Sequence, residues 1–238
     1  MILHIPHSST EILNKELVNK ELELLRMTDH FTDELYTHKN ATKVIFGLSR
    51  LICDVERFED DEKEAMSKLG MGICYVKNSF QKLLRTVTKE EKLSIIESFY
   101  RPHHQRLSNE VDGELILKES ALIIDCHSFP EVSYPFNSDF KKRRPDICLG
   151  TDMFHTPKEL LHTVKRFFLE KGYEVQVNSP YSGTMVPLKH YKKDKRVKSI
   201  MIEINRRLYM DEEGFKTEHF YEIQEEISVL LSELELSN

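Results

Sequence analysis

The sequence predicts an α/β fold: a single domain with a mixed, largely parallel central sheet flanked by helices. The main observation is segment 122–130, where three apolar residues lead into Asp125, Cys126 and His127 before Pro130. Short apolar runs rich in β-branched residues are typical of buried strands. Strands buried on both faces are typical of sheets that helices cover. Residues 1–9 and 51–57 have the same form, an apolar run that ends in polar side chains.

The remaining strands are predicted from shorter apolar runs at 42–47, 50–54, 146–150, 173–177 and 199–207. Leucines between residues 13 and 25 indicate a first helix, and Asp29 is a plausible N-cap for a second. Thr88 opens a long helix with a capping box; the helix should run toward residue 114 with a disturbance near Pro102. Pro157 is expected at the first position of another helix. A closing amphipathic helix begins near Lys216.

Polar side chains suited to binding or orienting a metal stand at the ends of the first three runs: His7, Asp54, Glu56, Arg57 and His127. In open α/β sheets, ligands bind beyond the carboxyl ends of the strands. We therefore expect these three ends to meet around one metal ion, with Asp125 supporting His127. His4 lies three residues before His7, on the opposite face of a strand, and is expected to be an ordinary strand residue.

Glu203 is the most informative acid, because it lies between isoleucines in the last predicted strand. Burying a carboxylate there is costly unless it is paired or bound to a metal. Catalytic zinc takes three histidine or carboxylate ligands and keeps one position for water. We predict His7, Glu56 and His127 as the ligands, with Asp54 as the alternative carboxylate. Glu203 would then accept and return the water proton.

Length and composition limit the possibilities. The 238 residues fit one domain over 1–238, and no apolar run approaches the ~20 residues of a spanning helix. The N-terminus shows no signal peptide, and the four cysteines lack a C-x-x-C pair, so we expect reduced thiols in the cytoplasm. A net charge of -6 argues against nucleic acid as the partner, and the basic run 141–144 is expected to be a solvated loop. A monomer or small homo-oligomer is expected.

Seven blocks, in order along nearly the whole chain, resemble the N-formylglutamate amidohydrolase family. They are H-I-P-H-S-S, D-V-E-R-F, Y-R-P-H-H-Q-R-L, D-C-H-S-F-P, P-D-I-C-L-G-T-D, N-S-P-Y-S-G and M-I-E-I-N-R-R-L-Y-M-D-E. The resemblance implies a fold like the zinc carboxypeptidases and the phosphorylase/hydrolase proteins. It also implies metal-dependent hydrolysis of N-formyl-L-glutamate to formate and L-glutamate, a step of histidine breakdown.

Carried over by position, the resemblance implies His7, Glu56 and His127 at the metal and Glu203 as catalytic acid and base. Arg57 is expected to neutralise a substrate carboxylate or the developing oxyanion. The residues expected to bind the small acidic substrate are Arg206, His104, Tyr181 and Arg101. One feature departs from the zinc carboxypeptidases, whose H-x-x-E motif supplies two ligands. Here Glu11 comes one place too late after His7, so the second ligand must come from elsewhere.

Three other functions stay open on the sequence alone. A zinc carboxypeptidase or another amidase would use the same metal chemistry on a different substrate, since one fold serves many substrates. A binding module without catalysis would keep the fold but have no activity for Glu203 to support. Binding of nucleic acid through residues 141–144 would show salt-sensitive affinity.

Overall fold

One mixed sheet organises the computed structural model, which describes residues 1–13, 15–135, 139–140 and 142–236. Within these residues six strands pair: β1 (Ile2–Ile5), β2 (Thr42–Ile45), β3 (Ala121–Phe129), β4 (Ile147–Gly150), β5 (Val175–Val177) and β6 (Val197–Asn205). Their order across the sheet is β2-β1-β3-β6-β4-β5. All pairs are parallel except β4 with β6. The predicted mixed, largely parallel sheet is confirmed.

Helices cover both faces of the sheet: α1 (Lys20–Met27), α2 (Thr32–Leu35), α3 (Lys89–Ile95), α4 (Arg101–Lys118), α5 (Lys158–Glu170) and α6 (Phe220–Leu236). Ile124 of β3 belongs to a core cluster with α5 and α6. Its neighbour Ile123 belongs to a second cluster with Leu107 and Val111 of α4. Because successive strand residues point to opposite faces, each strand packs against a different helix layer on each side.

The long helix predicted from Thr88 is present, with a change of winding in its middle. The Thr88 hydroxyl accepts a hydrogen bond from the Glu91 amide at 3.1 Å, as the capping pattern requires. A π-helical turn, Ile96–Tyr100, joins α3 to α4 immediately before Pro102. Proline has no amide hydrogen to donate to the preceding turn, so a change of winding beside it is expected.

The predicted strand at 50–54 is wrong, because these residues form turns. The amides of Ile52 and Cys53 both bind the Ser49 carbonyl, which closes a turn that an extended strand cannot make. The apolar run is buried because a second core cluster surrounds it, so its composition resembles that of a strand. Asp29 is not an N-cap either: Phe31 holds that position before α2. Pro157 was predicted at the first position of a helix, and it lies one residue earlier, at the N-cap position of α5.

The described part of the chain contains no helix with both the length and the apolar character needed to cross a membrane. The four cysteines, Cys53, Cys74, Cys126 and Cys148, are buried and unpaired. Two short 3-10 turns, Ala65–Leu69 and Arg206–Leu208, complete the regular structure of the described residues.

Candidate metal centre and active site

Three residues far apart in the sequence converge at the carboxyl ends of β1 and β3. His7 follows β1 after Pro6, His127 lies near the end of β3, and Glu56 lies in the turn after residue 54. One potential ligand atom from each of the three lies within 4.8 Å of the other two. The structure therefore brings together the three side chains predicted as metal ligands.

His7 presents one ring nitrogen to the cluster and binds a carboxylate through the other. Its Nε2 donates a hydrogen bond to Asp54 Oδ1 at 2.9 Å. Its Nδ1 is buried, has no hydrogen-bond partner among the described residues, and lies 3.7 Å from both Glu56 Oε2 and Asp29 Oδ2. A buried polar atom without a partner is costly, so Nδ1 is placed as a ligand atom would be.

His127 has the same arrangement with its nitrogens exchanged. Its Nδ1 donates to Asp29 Oδ2 at 3.0 Å, and its Nε2 lies 3.2 Å from both Glu56 Oε1 and Asp125 Oδ1. Burial opposes protonation of this ring, but the surrounding carboxylates outweigh it and raise its pKa well above the ordinary value. A histidine whose second nitrogen binds a carboxylate is the usual form of a metal-binding histidine.

Asp54 supports this cluster and has no oxygen left for a metal. Its Oδ1 accepts hydrogen bonds from His7 and from the Glu56 amide at 3.0 Å, and its Oδ2 accepts from Arg50 at 2.9 Å and from Tyr75 at 2.8 Å. Burial would raise the pKa of this carboxyl, but Arg57, Arg50 and His7 hold it well below its ordinary range. The geometry therefore favours Glu56 over Asp54 as the third ligand.

A second group of polar side chains adjoins the first and shares Glu56 with it. It comprises His4, Glu56 and Asp125, whose potential ligand atoms also lie within 4.8 Å of one another. His4 Nδ1 donates to Asp125 Oδ1 at 2.8 Å, and His4 Nε2 lies 3.0 Å from His103 Nε2. The expectation that His4 is an ordinary strand residue facing away from His7 is wrong. The chain leaves β1 after Ile5, so strand alternation does not extend to His7.

Glu203 lies beside His127, because the two residues are paired in register on β6 and β3. The residue is 7% exposed, and its Oε2 has no hydrogen-bond partner among the described residues. Burial raises the pKa of Glu203 to about 7, with the negative charges of Asp29 and Glu56 adding to the effect of burial and His127 opposing it. A carboxyl in this state can exchange a proton at neutral pH.

A cavity of about 370 Å³ opens beside the cluster, and Glu56 and Asp125 form part of its wall. Arg57 and His104, two of the predicted pocket residues, also line it. The Nε2 of His104 donates to the Val55 carbonyl at 2.8 Å, and burial lowers the pKa of this ring to about 4. The cavity is a candidate place for a substrate, because it is concave and reaches Glu56, one of the three candidate metal ligands. His7, His127 and Glu203 are not among the described residues that line it.

Three residues predicted to bind substrate do not line this cavity, and their roles stay predictions. Arg206 is 6% exposed, and its guanidinium donates to Ser128, Asp29 and the Arg26 carbonyl. Arg101 lies on the surface of α4 and pairs with Glu59 at 2.6 Å. The Tyr181 hydroxyl accepts from Arg144 at 3.2 Å. None of the three is among the described residues that line the cavity.

Reasoning from the sequence missed several residues that build this site: Asp29, Arg50, Tyr75 and His103. Asp29 stands before a helix and has the residue type of an N-cap, which concealed its contact with His127. His103 is on α4 and contacts His4 of β1, a pairing that only the tertiary fold creates. Arg50 and Tyr75 lie in turns, where no periodic pattern predicts the direction of a side chain. The one available signal was the concentration of histidines in Y-R-P-H-H-Q-R-L.

The family comparison agrees with this geometry. The model of the N-formylglutamate amidohydrolase family matches residues 1–210. The chain belongs to the N-formylglutamate amidohydrolase family. Membership supports an amidohydrolase activity, so this family member is an enzyme of the hydrolase class. No curated protein matches the sequence.

Two solved structures share the fold of this family member. A crystal structure of N-formylglutamate amidohydrolase from Ralstonia eutropha JMP134 has a TM-score of 0.80 at 23% identity, over 98% of this chain and 91% of that one. A crystal structure of a gene product from Agrobacterium tumefaciens has a TM-score of 0.67 at 20% identity, over 99% and 91% of the respective chains. At these identities the likeness concerns the fold.

Proposed function

We propose that the chain catalyses the metal-dependent hydrolysis of N-formyl-L-glutamate to formate and L-glutamate. The observation that carries this proposal is the convergence of His7, Glu56 and His127 beside a cavity, in a member of the amidohydrolase family. The whole chain would act as one domain in the cytoplasm, as a monomer or small homo-oligomer. The reaction would serve histidine breakdown.

The donor atoms fit a zinc ion with one position left for water. His7 Nδ1, His127 Nε2 and a Glu56 oxygen would hold the ion, and two nitrogens with one oxygen form a set typical of catalytic zinc. When bound, zinc polarises the formyl carbonyl and lowers the pKa of a water molecule toward ~7. The buried, unpartnered Nδ1 of His7 supports this assignment.

The remaining chemistry belongs to the side chains. Glu203 would accept a proton from the attacking water and return it to the departing nitrogen, which its raised pKa of about 7 suits. Arg57 lines the cavity and would bind a carboxylate of the substrate. Its guanidinium is held in place by the Met71 carbonyl at 3.3 Å and the Tyr75 hydroxyl at 3.4 Å.

The test measures formate release and metal content on the same preparations. The native protein should bind about one zinc per chain and lose turnover when a chelator removes it. Glu203→Gln should retain the zinc and lose ~10²–10⁴-fold in kcat, the usual contribution of a general base. Glu159→Gln, at an exposed position of α5, is the matched control and should keep native activity. Normal turnover by metal-free protein, or by Glu203→Gln, would refute the proposal.

A further inference from the structure

A strongly basic segment borders the cavity that reaches Glu56. Residues 189–198 contain six lysines and arginines and a single acid, Asp194, in a chain whose net charge is -6. Leu188, just before this segment, and Tyr191 within it both line the cavity. Leu188 is 69% exposed, so this part of the wall lies at the open side of the cavity. The basic segment therefore lies at the cavity mouth.

Two ammonium groups of the basic segment contact this wall. The Nζ of Lys192 lies over the ring of Tyr191, 5.0 Å from its centroid, a distance at which an aromatic face attracts a cation. The Nζ of Lys193 donates a hydrogen bond to the Leu188 carbonyl at 3.1 Å. Both lysines are exposed, so a ligand that enters the cavity can reach their charges.

These two charges are not neutralised within the described part of the chain. Lys189 is paired, because its Nζ lies 2.6 Å from an oxygen of Asp112. Lys192 and Lys193, by contrast, form no ion pair with a described carboxylate. The ring and the carbonyl that they contact carry no net charge. Their positive charge is therefore available to an anion at the cavity mouth.

The backbone that carries Lys192 is held in a defined conformation. Lys192 has a φ of 55°, in the left-handed region that a lysine seldom adopts, and its amide donates to His155 Nε2 at 2.8 Å. His155 is buried, and its Nδ1 donates to the Val197 carbonyl at 2.7 Å. The His155 ring also stacks on Tyr191, with 5.7 Å between the centroids. Surrounding contacts that hold a residue in an uncommon conformation are frequent at ligand sites.

The proposed substrate has two carboxylates, and positive charge is available to each of them. The ion proposed on Glu56 would polarise the formyl carbonyl, and Arg57 of the cavity lining would bind one carboxylate. The side-chain carboxylate of N-formyl-L-glutamate stands at the end of a flexible chain and can extend toward the cavity mouth. Lys192 and Lys193 lie at that mouth.

We propose that Lys192 and Lys193 attract the side-chain carboxylate of N-formyl-L-glutamate and hold it at the cavity mouth, so that they determine the preference for an acidic side chain. This inference rests on the proposed function. Exposed charges at the entrance to a cleft raise the local concentration and the association rate of an oppositely charged ligand. Salt screens such charges, so the preference should decrease as ionic strength rises.

The test compares kcat/KM for N-formyl-L-glutamate and for N-formyl-L-glutamine, whose side chain is neutral and of nearly the same shape, by formate release from the zinc-loaded protein. In the double variant Lys192→Gln/Lys193→Gln the ratio of the two values should fall ~5–10-fold at an ionic strength of ~0.01 M, since each exposed ion pair contributes up to about fivefold. At ~1 M salt the native and variant ratios should agree within about twofold.

The double variant Lys39→Gln/Lys118→Gln changes the net charge equally and is the matched control. Both lysines are exposed and precede parallel strands, β2 and β3, at the edge of the sheet opposite the candidate site. This control should keep the native ratio, and so should Lys192→Arg/Lys193→Arg, which retains both charges. An unchanged ratio in Lys192→Gln/Lys193→Gln, or an equal fall in either of the other two variants, would overturn the inference.

Binding measurements separate a failure of this inference from a failure of the proposed function. An unchanged ratio with normal formate release overturns the inference alone. If neither substrate releases formate, the proposed function fails, and calorimetry with N-acetyl-L-glutamate and N-acetyl-L-glutamine then tests the two lysines. A preference of the native protein for the glutamate ligand that the Lys192→Gln/Lys193→Gln variant loses supports the inference. The same preference in both proteins, or none in the native protein, overturns it.

Discussion

Asp29 Oδ2 accepts the Nδ1 hydrogen of His127 at 3.0 Å. The other oxygen of the same carboxylate accepts a hydrogen bond from Arg206, also at 3.0 Å. Asp29 thus fixes the ring of His127 so that Nε2 faces Glu56, and Arg206 fixes Asp29. Arg206, which the sequence suggested for substrate binding, is thus linked to His127 through this carboxylate.

Replacing Asp29 should therefore weaken metal binding. In Asp29→Asn the neutral amide no longer matches the charge of Arg206 or holds the His127 ring as firmly. We expect zinc affinity to fall ~10–100-fold, the usual cost of losing a carboxylate behind a histidine ligand. Competition with a chromophoric chelator measures the affinity. Asp60→Asn changes an exposed carboxylate and should leave it unchanged; native affinity in Asp29→Asn would contradict the assigned role.

His103 should make the protein sensitive to acid. Burial lowers the pKa of His103 to about 2, with the neighbouring His4 adding to the effect, whereas in the unfolded chain it is ~6.5. Between these values the unfolded state binds the extra proton. This stabilising contribution is therefore complete above pH 6.5, and it falls as pH decreases, by up to about 1.4 kcal/mol per pH unit.

Urea unfolding of the metal-free protein between pH 7 and pH 5 measures this dependence. In His103→Gln the unfolding free energy should fall less steeply with falling pH than in the native protein. The difference in slope should be up to about 1.4 kcal/mol per pH unit, because glutamine binds no proton. His219→Gln, at an exposed histidine of the same chain, controls for the loss of an imidazole. The prediction fails if His103→Gln shows the native slope.

Because Gly150 of β4 has no side chain, Gly183 and Met201 of the cavity wall pack closely against it. A Cβ at this position would overlap the Gly183 carbonyl oxygen and Met201 Cε, and both of those residues line the cavity. Gly150→Ala should therefore displace the wall, raise KM, and lower the unfolding free energy by about 1–3 kcal/mol, as overpacking does.

Steady-state kinetics and urea unfolding of the same variant measure both effects. Gly113→Ala is the matched control, because a Cβ there meets no atom within 4 Å and the residue lies inside α4. That change should stabilise by ~0.5–1 kcal/mol, since alanine is the better helix former. A Gly150→Ala protein as stable as the native one, with an unchanged KM, would show that the cavity wall accommodates a Cβ at this position.

The strands that carry the site could be predicted because their residues are apolar on both faces. β3 and β6 are mainly apolar and contain few polar residues, so Asp125, His127 and Glu203 were conspicuous in the sequence. The register of β3 with β6 then places His127 beside Glu203, which no local pattern specifies. The sequence therefore identified the residues, and only strand pairing determined which of them are neighbours.

The turn after residue 49 shows the limit of that reasoning. Asp54 and Glu56 come at the end of an apolar run that was predicted to be a strand, but a turn holds them together: the Glu56 amide binds the Asp54 side chain at 3.0 Å. A carboxylate that binds the amide two residues on closes an Asx turn, which a strand pattern does not distinguish from extended chain. Contacts such as His4 with His103 depend on how a helix packs on the sheet, which hydrophobic periodicity leaves undetermined.

The π-helical turn before α4 determines the directions in which the side chains of α4 point. Tyr100 and His104 bind the Arg57 and Val55 carbonyls, at 2.7 and 2.8 Å, on either side of Glu56. A π turn accommodates one more residue than an α turn, and each residue in an α-helix advances by about 100°. A chain one residue shorter between 96 and 100 would wind as a regular helix and turn both side chains away from the backbone of 55–57. The number of residues in this helical segment, as well as their identity, therefore determines how the backbone on either side of Glu56 is held.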